Sequence, residues 1–154
     1  MDIQAWHPLT VHFPIAFLVL SGFLSLYLIF KFNLSLAKFN LGILCLGIIG
    51  CAVSIYTGNI EDGKVSRKLC DPTVLKDHEN YAYYLLYTGL SILVFWLVKI
   101  FVFQNKYKLI LAVIITISSI TSLVFIVYVG HLGASLVYNQ AAGVEVPSED
   151  CINF

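Results

Sequence analysis

Four uninterrupted apolar runs decide what this chain can fold into. They cover about Leu9 to Phe30, Leu41 to Tyr56, Tyr81 to Phe103 and Leu109 to Val129. A hydrocarbon core of about 30 Å asks for roughly 20 apolar residues per helix. The second run is the shortest and borrows Phe39 and Gly58 at its ends. The strands of a membrane barrel would alternate apolar and polar residues, and these runs do not, so they predict helices. The expected fold class is all-α, an integral membrane four-helix bundle, with residues 1–154 forming a single domain. Composition agrees, since charged residues are 12% of the chain where a soluble domain carries about a quarter. That balance excludes a disordered chain, a nucleic-acid binder and a typical soluble enzyme. The first run is read as a retained span rather than a cleaved signal, because no Lys or Arg precedes Lys31.

Charge predicts the orientation. One side of the four spans carries Lys31, Lys38, Lys99, Lys106 and Lys108 and no acid; the other carries Lys64, Arg67, Lys68, Lys76 and all nine acids. Basic residues in short loops favour the cytoplasm. The lysine side is therefore expected inside a bacterial inner membrane and both termini outside. Asn59 to Asp71 reads as an extended outer loop. Asp71-Pro72 reads as an N-cap and first helical residue, so helix three should start well above the membrane. Val74, Leu75, His78 and Tyr81 would then share one face of that outer extension. After the fourth span, the stretch Gly130 to Ser135 is expected to break the apolar run.

All four histidines fall at the outer ends of these helices: His7 and His12 at the start of span one, His78 above span three and His131 at the end of span four. Ionisable residues at membrane depth mark functional sites, and His12 is about a turn inside the apolar window. Pro14 removes a hydrogen bond to the Thr10 carbonyl and should kink the helix beside His12. Neutral imidazole ligates haem iron, copper and zinc. Three expectations follow. The first is a membrane-embedded b-type haem protein passing electrons near the outer face, with His12 and one of His78 or His131 as axial ligands. His7 is less favoured, and Gly130 and Gly133 would make room for a flat macrocycle. The second is a copper or zinc centre on His12, His78 and His131. The third is a non-catalytic scaffold with structural, hydrogen-bonded histidines.

The opening His7-Pro8-Leu9-Thr10-Val11-His12-Phe13-Pro14-Ile15-Ala16 and the closing Gly130-His131-Leu132-Gly133-Ala134-Ser135-Leu136 resemble a bacterial four-span membrane family classed as a domain of unknown function. Its members open with His-Pro-x-x-Val-His-Phe-Pro-Ile-Ala and close with Gly-His-x-Gly-Gly-x-Leu; Thr57-Gly58 and His78 fit the pattern too. Ala134 departs from it, and Val137-Tyr138 stand where a further histidine is common. The resemblance implies a redox setting, beside c-type cytochrome or Rieske-type domains, and hence electron transfer with such a partner.

Cys70 and Cys151 both fall on the outer side, an oxidising compartment in this topology, and are expected to form a disulfide. Cys45 and Cys51 lie with Gly42, Gly47 and Gly50 in span two, as small packing residues. No phosphate loop, nucleophile triad or zinc-protease motif is present.

Overall fold

A computed structural model describes residues 6–102 and 108–144. The helices are α1 (Trp6–Thr10), α2 (His12–Phe30), α3 (Leu34–Val65), α4 (Pro72–Leu97) and α5 (Lys108–Gln140). A 3-10 turn, Ser66–Lys68, follows α3, and a π turn, Val98–Val102, follows α4. The long helices α2 to α5 run alternately up and down as a bundle. The pairs α2–α3, α3–α4, α4–α5 and α5–α2 pack side by side, and α1 lies against α3. All four spans are long and apolar enough to cross a membrane. We call the two ends the histidine end and the lysine end.

Local chemistry explains where the elements begin and stop. Pro14 has no N–H to offer the Thr10 carbonyl, and the first span breaks at Val11, between α1 and α2. The helical path continues through it, since Val11 keeps right-handed helical dihedrals, donates to His7 O at 3.2 Å and accepts from Ile15 N at 3.3 Å. Asn33 caps α3, its Oδ1 accepting from Leu36 N at 2.9 Å, and Asp71 caps α4, accepting from Thr73 N at 3.0 Å. Ala141 N returns to Val137 O at 3.1 Å and Ala142 N to Leu136 O at 3.0 Å to close α5, with Ala141 in the left-handed region at φ 51°.

Two expectations are corrected. The segment after Asn59 is not an extended loop: α3 continues through it to Val65, and the 3-10 turn carries on to Lys68. Gly130 to Ser135 does not end the last helix, which runs on to Gln140. Both stretches combine polar residues or glycines with good helix formers, and packing on neighbouring helices outweighs the modest cost of glycine. The expected early start of helix three is found, with Pro72 as its first residue. The Cys70–Cys151 pairing involves a cysteine outside the described residues; Cys70 itself is exposed in the α3–α4 turn.

The core is a column of Leu18, Leu44, Leu85, Ile92, Trp96, Ile115 and Ile126. Close approach of α2 and α3 depends on Gly47, where an added Cβ would lie 2.7 Å from Leu18 Cδ2. Exposed Phe, Leu, Ile and Val side chains cover the outside of every long helix, as a lipid-facing surface requires.

Candidate functional site at the histidine end

Two histidines turn inward and meet. His7, on α1, and His78, on α4, pack edge to face, ring centres 6.1 Å apart and planes at 89°. Each is held by a backbone carbonyl: His7 Nδ1 lies 2.9 Å from Ser54 O and His78 Nδ1 lies 3.1 Å from Val129 O. A carbonyl can only accept, so each Nδ1 carries its hydrogen. In the neutral ring this leaves the lone pair on Nε2, the orientation in which imidazole serves as a metal ligand.

A polar cradle on α3 positions His7. Thr57 Oγ1 lies 3.0 Å from Ser54 O and 3.1 Å from Thr10 Oγ1, and with Thr10 bonded to His7 O the single Thr57 hydroxyl hydrogen serves one of these two contacts at a time. Thr10 in turn donates to His7 O at 3.0 Å, and His7 N donates to Glu61 Oε1 at 3.2 Å. Ser54, Thr57, Gly58 and Glu61 follow one another at helical spacing on the face of α3 that meets α1. Helix α1 packs on this face and lays His7 against it. A shallow cleft of about 270 Å³ lies beside it, lined by Trp6, Thr57, Ile60 and Glu61.

Glycines fit the rings to the helices. A Cβ at Gly58 would stand 3.1 Å from His7 Cε1, and one at Gly133 would stand 3.2 Å from His78 Cε1. The space that Gly133 leaves is thus filled by the His78 ring. Gly130 is exposed and a Cβ there would meet nothing within 4 Å.

His12 and His131 are both exposed, on the outward faces of α2 and α5. The packing thus brings His7 to His78 and leaves His12 and His131 apart from them. Among the described residues, no group of three or more His, Cys, Asp or Glu side chains converges as a small-metal site would require. The cradle of Thr10, Ser54, Thr57 and Glu61 was not singled out as site chemistry. Its signal is the recurrence of Ser, Thr-Gly and Glu on one face of span two.

The site thus belongs to a four-span membrane bundle with a paired-imidazole centre at one end. The chain matches the family of predicted membrane proteins DUF2231 over residues 4–146, and it belongs to that family. No curated protein and no solved structure matches it.

Proposed function

We propose that this protein is a membrane-embedded electron-transfer protein, with a b-type haem held at the histidine end by His7 and His78. The observation that carries the reading is the paired inward imidazoles, each with Nδ1 bound to a backbone carbonyl. His7 and His78 would hold the iron, each through Nε2, the nitrogen left free by its carbonyl-bound Nδ1. Haem asks for one or two axial imidazoles rather than three converging ligands. The iron would supply a one-electron couple; the chain's own residues orient the ligands and shield them from water. Ser54 O and Val129 O fix the two tautomers, which raises ligand basicity. Glu61, bonded to the His7 amide, sets a carboxylate beside the centre. The partner in this reading is a soluble redox protein such as a c-type cytochrome. The lysine end is cytoplasmic and the termini lie outside, supported by five lysines and no acid on that side.

An absorption spectrum of protein purified in detergent, after expression with haem and metals supplied, tests this. The expected result is a Soret band with sharp reduced α and β bands, lost or converted in His7→Ala and His78→Ala and kept in His12→Ala and His131→Ala. Copper or zinc without a Soret band would instead support the small-metal reading. Neither chromophore nor metal would leave the scaffold reading. A cytoplasm-only reporter that is active at the C-terminus would overturn the orientation.

A further inference from the structure

Far from the histidines, each of the four long helices sends a buried polar side chain into one layer of the bundle. Helix α2 gives Ser21 and Ser25, α3 gives Asn40, α4 gives Trp96, and α5 gives Ser119 and Ser122. The level is fixed by contacts. Asn40 Nδ2 and Trp96 Nε1 both donate to Ser25 Oγ, at 2.9 and 3.0 Å. Leu123 packs on Gly22, so Ser119, one turn toward the lysine end, falls beside the Ser21–Ser25 turn. Lys99 is also buried here, on the π turn that follows α4, with its Nζ 5.0 Å from the Trp96 ring centre. Its Nζ is also 5.5 Å from the ring centre of Phe32, in the turn between α2 and α3, so Lys99 closes the layer on the side of the lysine end.

The hydrogen bonds within the layer do not close. Ser25 Oγ takes both donors. Asn40 Oδ1, Ser21 Oγ and Ser119 Oγ find no protein partner, although their residues are at most 1% exposed. An amide carbonyl needs a donor and a hydroxyl needs an acceptor, and leaving them unmet in a low-dielectric interior is costly. From this open set we infer that the layer is a built site for internal water, held by Ser21, Asn40 and Ser119.

The donor set selects water over an ion. None of the six residues is acidic and Lys99 lies close by, so a cation would meet neutral oxygens beside a positive charge. An anion would be repelled by Asn40 Oδ1, and the Trp96 indole N–H and one of the two Asn40 amide hydrogens are already given to Ser25. Water alone both donates to the amide and accepts from the hydroxyls, with the two to four polar partners that a buried water needs. The lysine end would then carry an exchangeable proton donor inside the apolar depth, separated from the histidine pair by the dry Leu18–Gly47–Gly89 contact.

Water-edited solid-state NMR of the full chain in bilayers tests the site. In the wild type, signals of Ser21, Asn40 and Ser119 should build up from water several-fold faster than those of Leu18 and Gly47. The Ser21→Ala/Ser119→Ala variant removes the hydroxyls and should slow the Asn40 side chain to the Leu18 rate, with Trp96 emission unchanged as the sign of an intact bundle. Wild-type serine and Asn40 signals as slow as Leu18 would overturn the inference. So would an Asn40 rate indifferent to the double substitution.

Discussion

Alanine placed at two glycines of the same helix isolates the cost of crowding α2 against α3. At Gly42 an added Cβ meets nothing within 4 Å, and at Gly47 it meets Leu18 Cδ2 at 2.7 Å, Cγ at 2.9 Å and the backbone N at 3.2 Å. Replacing a helical glycine by alanine gains about 1 kcal/mol of intrinsic propensity at either position. At Gly42 that gain stands alone. At Gly47 the methyl of Leu18 can rotate aside, but its Cγ and backbone N sit on α2 itself, so the two helices must part. Overpacking of this kind costs about 1–3 kcal/mol. Gly42→Ala should therefore be stabilising, while Gly47→Ala falls between neutral and about 2 kcal/mol destabilising. The difference of about 1–3 kcal/mol is crowding alone, because the propensity gain cancels. Equilibrium unfolding in mixed micelles, followed by tryptophan emission, measures both. In a Leu18→Ala background, where the obstacle is trimmed, Gly47→Ala should cost less than it does in the wild type, as coupled neighbours do. If the two alanines agree within about 0.3 kcal/mol, the close α2–α3 approach is not what Gly47 provides.

Other outcomes follow from single contacts. Ser25→Ala strands the buried Asn40 amide and the Trp96 indole; at about 0.6 kcal/mol per interhelical bond in membranes, with a ceiling near 1.7, the loss should be about 1–3 kcal/mol, and Trp96 emission should move to the blue in a Trp6→Phe background. The Thr73 hydroxyl and amide hold the exposed Asp71 carboxyl below its ordinary range. With the folded pKa lowered, the α4 cap is fully present above the unfolded value and is lost only as pH falls through the folded one; the Thr73 amide shift in an acid titration by NMR should report this, and Asp71→Asn should flatten it. Ala141→Gly frees the left-handed cap position at φ 51° from its side chain, should gain about 1 kcal/mol, and should slow amide exchange in the last turn of α5.

The four spans were legible because a hydrocarbon solvent demands long apolar runs, and Asp71-Pro72 marked the start of α4 because cap chemistry is local. Helix ends set by packing were not. Residues 59–65 are polar and mixed in charge, and nothing in them distinguishes a solvated loop from a helix resting on α1. Gly130 to Ser135 looks like a breaker until His78 is seen to fill the space beside Gly133. The sequence put all four histidines at one end of the bundle, but could not tell which turn inward. These helices are apolar on nearly every side, so no polar face marks lipid against core. His7 falls seven residues before Pro14, in line with the buried face of α2 that continues through Leu18, Ser21 and Ser25, whereas His12 falls on another face and is exposed.

The length of α3 has a consequence for the membrane around it. Its 32 residues span about 48 Å, well beyond a hydrocarbon core of about 30 Å. Ser54, the residue that holds His7, is 20 positions from Leu34, or about 30 Å along the axis. The imidazole pair therefore stands about one hydrocarbon thickness from the start of α3, so a bilayer whose core begins at Leu34 would have its far boundary at these rings. Lipids with longer tails would submerge it in hydrocarbon, and shorter ones would leave it among headgroups and water. Mismatch of a few ångströms costs a helix little, yet it would change the polarity around these two rings. Lipid chain length thus becomes a control on whatever chemistry they perform.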